Sequence, residues 1–209
     1  MRTRLLAAAA LAAALLTTGC TGAAADEPSR GTAAAGAGGG VSGPLCAELP
    51  TGDAPGNPNA LASQPLGEAL KWITVLTTFE GALRASDLLP ELAGKPAITV
   101  LAPTDDAFGT KFSQDNLDQL MIKDKETLRT LLRAHIIDGS LSLADLRDAD
   151  TLRTLDGTAV TIKPSDAMAS IGEAVTVCAD YRMANGRIHV INHVLGNLPT
   201  TAGQGDSGH

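Results

Sequence analysis

The segment that decides the fold is Ile98-Thr-Val-Leu-Ala-Pro-Thr-Asp-Asp-Ala-Phe108, an apolar run that ends at a proline and changes directly into a helix start. Its first four residues favour a strand, and Pro103 lacks the N–H that a strand ladder needs. Thr104 is a preferred N-cap residue, Asp105 falls in the helix turn where the dipole favours negative charge, and Phe108 begins an apolar face. The adjacent aspartates also suit a metal site, but the agreement of these preferences favours a structural corner that leads into a core.

The first twenty residues are typical of an export signal with a lipidation site. Arg2 and Arg4 precede an uncharged run from Leu5 to Leu16, which is too short to span a bilayer permanently. Leu16-Thr-Thr-Gly-Cys20 resembles a lipobox, although Thr17 stands where Leu is commonest. We therefore predict a lipoprotein signal peptide at 1–19 and diacylglycerol and palmitate on Cys20. The alternative is ordinary secretion with a free or buried Cys20.

Composition divides the rest of the chain. Residues 20–45 are rich in Gly, Ala and Ser and are predicted to be a flexible tether, 46–199 form the domain, and 200–209 are a disordered tail. Loss of residues 1–19 removes two arginines and no acid, so the formal charge changes from −7 to −9. An acidic chain without a Lys/Arg cluster argues against nucleic acid and leaves the lipid as the expected contact with the membrane.

Cysteine usage fits an extracytoplasmic location. If Cys20 carries lipid, Cys46 and Cys178 remain as an even pair outside the cell, where disulfides persist. The alternative is two separate buried thiols.

Helical periodicity surrounds the corner. Apolar residues recur at helical spacing from Leu66 to Leu76, and Thr78 is expected to cap a second helix. A clearer helix is predicted from about Lys125 to Ile137, with His135 on its apolar face. A histidine there is expected to be buried and bonded to backbone, and the alternative is a ligand or a base.

From residue 151 the pattern alternates, as in strands. Asp156-Gly157 and Asn185-Gly186 each separate two such runs and predict two hairpins. Helices followed by hairpins indicate a single α+β domain of about 140 residues, with helices packed on a sheet or a thin sandwich.

The chain contains none of the common sequence signatures of catalysis, such as a nucleophile elbow, a P-loop or a dinucleotide fingerprint. His189 and His193 are four apart on a predicted strand, about 13 Å, which is too far to share one metal ion. We therefore expect no enzyme, no cofactor and no metal. A catalytic triad assembled from distant residues is the alternative.

Four segments, taken in their order along the chain, together resemble the fasciclin (FAS1) domain: 98–108, 131–139, 154–161 and 185–195. The resemblance covers about Pro65 to Pro199. The resemblance implies helices packed on a thin β-sandwich or sheet wedge. It also implies structural motif positions at Thr104, Asp105, Phe108, His135 and Asn192.

Gly43-Pro-Leu-Cys46 and Val177-Cys178 are further similar to secreted and lipid-anchored fasciclin proteins of mycobacteria and other actinobacteria, in which such cysteines are bonded. This chain has Ala134 where the family often has Tyr, and Asn192 where Asp is usual. Asn192 keeps part of the hydrogen-bonding pattern but not the charge.

The resemblance implies an adhesion or interaction module at the extracytoplasmic face of the cell membrane, with shed or secreted forms, that binds protein or polysaccharide partners. One alternative is a binding protein for a small ligand or an envelope polysaccharide, marked by a deep apolar pocket with a few polar groups. A hydrolase is the third alternative, and it requires an exposed His135 or His193 beside a serine and an acid.

Overall fold

The computed structural model describes residues 40–196. The predicted signal peptide 1–19, the lipidation site Cys20, most of the predicted tether and the predicted tail 200–209 lie outside these residues. Among residues 40–196, every helix is too short or too polar to span a bilayer.

Helices dominate the first half of the described chain and strands the second. The helices are α1 (Pro58–Leu61), α2 (Leu66–Leu70), α3 (Thr77–Ala85), α4 (Leu89–Ala93), α5 (Asp105–Lys111), α6 (Gln114–Lys123), α7 (Lys125–Arg133) and α8 (Leu143–Asp148), with short 3-10 helices at Pro44–Glu48 and Thr74–Leu76. The strands are β1 (Ile98–Pro103), β2 (Ile136–Asp138), β3 (Thr151–Arg153), β4 (Ala159–Ser165), β5 (Met168–Ile171), β6 (Ala174–Met183) and β7 (Gly186–Ile191). This arrangement confirms the predicted α+β class.

The strands lie in the order β2-β1-β7-β6-β5-β4-β3. β1 runs parallel to β7 and every other pair is antiparallel. A single bridge between Ile137 and Thr154 joins the two ends of this order. The outer strands therefore meet, which leaves less unpaired edge exposed.

The strand in the opening segment is longer than predicted, because β1 continues to Pro103. Leu101 donates its N–H to the His135 carbonyl at 2.8 Å, and Thr104 donates to the Ile191 carbonyl at 3.1 Å. Backbone N–H groups point alternately to the two sides of a strand, so an N–H at position 103 would point toward β2, as that of Leu101 does. β2 starts at Ile136 and does not extend to the level of Pro103. The proline therefore costs the sheet no hydrogen bond.

Two apolar clusters cover the two faces of β1. Ile98, Val100 and Ala102 pack in the larger cluster, together with helices α1 to α7. Leu101 points into the smaller cluster, which includes residues of α8 and of strands β4 and β5. The alternation along β1 thus assigns successive residues to opposite cores, and both faces of the strand are buried.

The two predicted hairpins form, but their glycines act differently. Gly157 has φ of +92°, a conformation that glycine adopts without strain, in the loop between β3 and β4. The loop between β6 and β7 is Ala184-Asn185, because Met183 pairs with Gly186. A Cβ on Gly186 would lie 1.8 Å from the Ile98 carbonyl oxygen, so this glycine serves close approach to β1.

The helix predicted over 125–137 ends early, at Arg133. Ile136 and Ile137 belong to β2, and His135 lies in the connecting turn. The apolar residues at the end of α7 are followed closely by two β-branched residues, Ile136 and Ile137. The sequence pattern therefore does not distinguish the end of the helix from the start of the strand.

The N-terminal part of the described chain is fastened to β6. Cys46 and Cys178 form a disulfide with their Cα atoms 5.1 Å apart. Ser42 exchanges two backbone hydrogen bonds with Ala179, at 3.2 and 2.8 Å. Gly43 packs so closely that a Cβ would lie 2.3 Å from the Val177 carbonyl oxygen. Backbone pairing with β6 thus begins at Ser42, within the range 20–45 predicted as tether.

Candidate functional site

The motif residues of the corner bond to backbone. Thr104 accepts a hydrogen bond from the Ala107 N–H at 3.2 Å and so caps α5, as predicted. Phe108 is buried and its ring stacks on Phe112 with centroids 6.3 Å apart. The threonine begins the helix and the phenylalanine attaches it to the core.

Asp105 caps a different helix from the one it begins. Its carboxylate accepts the Thr78 N–H at 2.7 Å and the Thr77 N–H at 3.3 Å, and the Thr77 hydroxyl at 2.8 Å. These N–H groups belong to the first turn of α3, whose preceding residue Leu76 gives no side-chain cap. The prediction that Thr78 caps this helix is wrong, because the cap comes from the corner, far away in sequence.

His135 is fully buried and both ring nitrogens are used. Nδ1 lies 2.8 Å from the Leu131 carbonyl oxygen, and Nε2 accepts the Leu195 N–H at 2.9 Å. Because Nε2 must accept, the proton is on Nδ1 and the ring is neutral. Burial lowers the pKa of His135 to about 4. The His135 ring therefore joins the segment that follows β7 to the last turn of α7.

His189 forms a second buried bridge, which the sequence did not indicate. Its Nε2 donates to the Leu141 carbonyl at 2.9 Å, and its Nδ1 accepts the Asp180 N–H at 3.3 Å. Burial also lowers the pKa of His189. The two histidines carry their protons on opposite nitrogens, because their backbone partners are arranged oppositely.

Asn192 extends the pairing of β6 and β7 beyond the end of β7. Its backbone N–H donates to the Val175 carbonyl at 3.1 Å, and its side-chain oxygen accepts the Val175 N–H at 2.8 Å. The same oxygen lies 2.9 Å from Nδ1 of the exposed His193. The amide therefore makes a hydrogen bond that a carboxylate would also make.

Asp180 is a second carboxylate that serves another element, and sequence reasoning missed it. It lies at an irregularity of β6 with φ of +70°. Its Oδ1 accepts the first N–H of α8, from Leu143, at 3.0 Å and a hydrogen bond from the Arg187 guanidinium at 3.2 Å. The only sequence signal is the register of the β6–β7 hairpin, which places Asp180 near Arg187.

Three of the motif regions converge at one end of the sheet. The corner, His135 and the segment after Ile191 meet there, through the bonds of Leu101 to His135, Thr104 to Ile191 and Leu195 to His135. A cavity of about 560 Å³ lies at this end. Its wall combines the buried Leu131, Ala134, Val194 and Leu195 with the polar Asp156 and Glu173.

The adjacent aspartates of the corner diverge, since Asp105 turns toward α3 and Asp106 is exposed. Within residues 40–196 no group of three or more acidic, histidine or cysteine side chains is arranged to hold a metal ion.

Replacing Asp105 with Ala is expected to lower the free energy of unfolding by about 1 kcal/mol, because two N–H groups of α3 lose their acceptor. Asp106→Ala removes an adjacent charge without removing the cap and is the matched control. Chemical denaturation measures both variants. Equal loss in the two variants would show that Asp105 acts through charge alone.

The free energy of unfolding is expected to fall as the pH is lowered from about 6.5 to about 4. His135 has a pKa of about 4 in the folded state against 6.5 in the unfolded state, so the unfolded state binds more protons in this window. The stabilisation is complete above pH 6.5, and His135 alone accounts for a loss of about 3 kcal/mol by pH 4.

Denaturation curves at several pH values measure this loss. A flat profile between pH 6.5 and 4 would contradict the neutral, bridging role of His135.

Comparison with known proteins agrees with the resemblance. The model of the fasciclin domain family matches residues 74–198. Protein sll1483 of Synechocystis is 31% identical over 119 residues, which cover 57% of this chain and 66% of that protein. The immunogenic protein MPB70 of Mycobacterium bovis is 30% identical over 168 residues, which cover 76% of this chain and 83% of that protein.

Among solved structures, a FAS1 domain pair from the insect cell adhesion molecule Fasciclin I is similar, with a TM-score of 0.47 and 22% identity. The similar region covers 58% of this chain and 45% of that one. The match of the family model to more than half of the chain, and the extent of the relation to MPB70, show that this chain belongs to the fasciclin domain family.

Proposed function

We propose that this protein is an interaction module at the extracytoplasmic face of the cell membrane, held there by lipid on Cys20, with a fasciclin domain that binds protein or polysaccharide partners. Its main support is the way the motif residues are used. Thr104, Asp105, His135 and Asn192 each direct their polar side-chain atoms to backbone groups of the same domain. The motif residues therefore stabilise the fold, and other residues, on the outer surface, bind the partner.

The disulfide supports the proposed location. A bond between Cys46 and Cys178 persists in an oxidising compartment and is rare in the cytosol. On the chain-entropy model, a crosslink with a sequence separation of 132 contributes about 5 kcal/mol of stability at most. A domain displayed outside the cell keeps such a crosslink, because the glutathione and thioredoxin systems that reduce disulfides act in the cytosol.

The surroundings of the histidines argue against the hydrolase alternative. A general base needs a ring nitrogen that can take a proton from substrate. Both nitrogens of His135 and of His189 are occupied by backbone groups, and burial lowers the pKa of each ring. His193 is exposed, but its Nδ1 contacts the amide of Asn192 and not a carboxylate.

Binding of a small ligand is the second candidate function, and the cavity of about 560 Å³ favours it. This volume lies within the range of small-molecule sites. Its wall has an apolar part, made of Leu131, Ala134, Val194 and Leu195, and two carboxylates, those of Asp156 and Glu173. The Asp156 carboxylate already accepts hydrogen bonds from the N–H and the hydroxyl of Thr158, so Glu173 is the freer of the two.

The anchor is tested by mass spectrometry of the mature protein together with detergent phase partition. The N-terminal peptide should begin at Cys20 and carry the mass of a diacylglycerol, and the protein should enter the detergent phase, because each buried CH₂ adds about 0.8 kcal/mol of membrane affinity. Cys20→Ser should remain in the aqueous phase. An unmodified N-terminus at any other residue would disprove the anchor.

The partner class is tested with beads that carry the purified protein, incubated with envelope fractions. Binding is expected to exceed that of beads that carry reduced and alkylated protein, whose disulfide is lost. Protease treatment of the envelope should abolish binding to a protein partner, and glycosidase treatment should abolish binding to a polysaccharide. Equal binding by both bead preparations would contradict a folded interaction surface.

A further inference from the structure

The β6–β7 hairpin places two arginines directly opposite each other. Arg182 on β6 is the register partner of Arg187 on β7. Like charges at directly opposed positions of an antiparallel pair destabilise the sheet. The formal charge of the chain is −7, so this is a local concentration of positive charge on an acidic protein.

The two arginines differ in their contacts. Arg187 is partly exposed and donates to the Asp180 carboxylate at 3.2 Å. Arg182 is exposed and makes no hydrogen bond or ion pair with any residue in 40–196. It is the only arginine of this part of the chain without such a partner; the others are Arg84, Arg129, Arg133, Arg147, Arg153 and Arg187.

Both side chains border a cleft of about 340 Å³. The other walls come from Pro96 and Ala97, which precede β1, and from Ser140, which follows β2. The Asn185 amide donates to the Leu92 and Lys95 carbonyls at 3.0 and 3.2 Å and so holds the hairpin against the neighbouring chain. The cleft is therefore bounded by backbone that is fixed from several directions.

A guanidinium presents a planar set of donors that matches a carboxylate or a phosphate. An anion between Arg182 and Arg187 would offset their mutual repulsion. The carboxylate of Asp180 already pairs with Arg187 and also accepts the Leu143 N–H, so it does not neutralise Arg182. The volume of about 340 Å³ is near the lower limit of small-molecule sites, which favours a compact ligand over an extended chain.

We propose that Arg182 and Arg187 form a binding site for the carboxylate or phosphate group of a ligand of about monosaccharide size. The site is separate from the end of the sheet where the motif residues meet, and it shares no residue with the cavity there. It does not depend on the lipid anchor or on the partner class proposed above, so its test can fail while those proposals hold.

Isothermal titration of the purified protein with glucuronate, glucose 6-phosphate and glucose tests the site. At least one charged sugar should bind and glucose should not, and the sugar that binds shows whether a carboxylate or a phosphate is recognised. Arg182→Gln should weaken that binding by about tenfold or more, because a charge-assisted hydrogen bond is lost. Arg84→Gln, at an exposed arginine on α3, removes the same charge elsewhere and should leave binding unchanged.

Thermal unfolding of Arg182→Gln should match or exceed that of the unaltered protein, because a like-charge pair is removed. This measurement separates lost binding from lost folding, and Arg182→Lys should retain part of the affinity. Three results would overturn the proposal: no binding of either charged sugar, equal binding of glucose, or equal affinity in Arg182→Gln. Binding of an acidic peptide at this cleft in place of the sugars would also overturn it.

Discussion

The parallel pairing of β1 with β7 is the constraint on which the rest of the domain depends. The two strands come from distant parts of the chain, and their contact requires Gly186, since the Ile98 carbonyl occupies the place of a side chain. Once formed, the pair is buried on both faces by separate cores. It also brings the start of α5, the turn at His135 and the closing segment to one end of the sheet, where each satisfies backbone groups of the others. Long-range pairing of this kind is costly in chain entropy, and the buried apolar area on both faces offsets it.

A second regularity is that polar side chains act on elements other than their own. Asp105 caps α3 from the corner, and Asp180 caps α8 from the middle of β6. The neutral rings of His135 and His189 each join two backbone groups that no strand or helix would otherwise pair. Loss of one such group leaves partners buried and unsatisfied, which costs more than the bond itself contributes. Residues that characterise the family therefore need not touch anything that the protein binds.

Sequence reasoning identified the elements better than the connections between them. The corner, both hairpins and the pairing of Cys46 with Cys178 rest on local or compartment-level signals, and the structure contains all of them. Burial of His135 and its bonding to backbone were predictable from its place on an apolar helix face. The cap of α3, the bond from Leu195 to His135 and the bridge of His189 to Leu141 were not, because those partners lie far away in sequence. The end of α7 was misplaced since apolar residues at helical spacing continue into β2. The positive charge at Arg182 was not predicted, because the sequence gives the net charge of the whole chain. The register of the β6–β7 hairpin places Arg182 opposite Arg187 and so concentrates positive charge at one point of the surface.

The disulfide also determines how mechanical tension would pass through the domain. A pull on the N-terminal side reaches Cys46 and crosses directly to Cys178 on β6, so the covalent path of tension bypasses the segment between them, which has a sequence separation of 132. The helices and the first five strands lie within that segment. Only β6, β7 and the closing chain remain in the path, and β6 is flanked by β5 and β7. A domain held at a surface and bound to a partner could therefore be stretched without extending most of its fold.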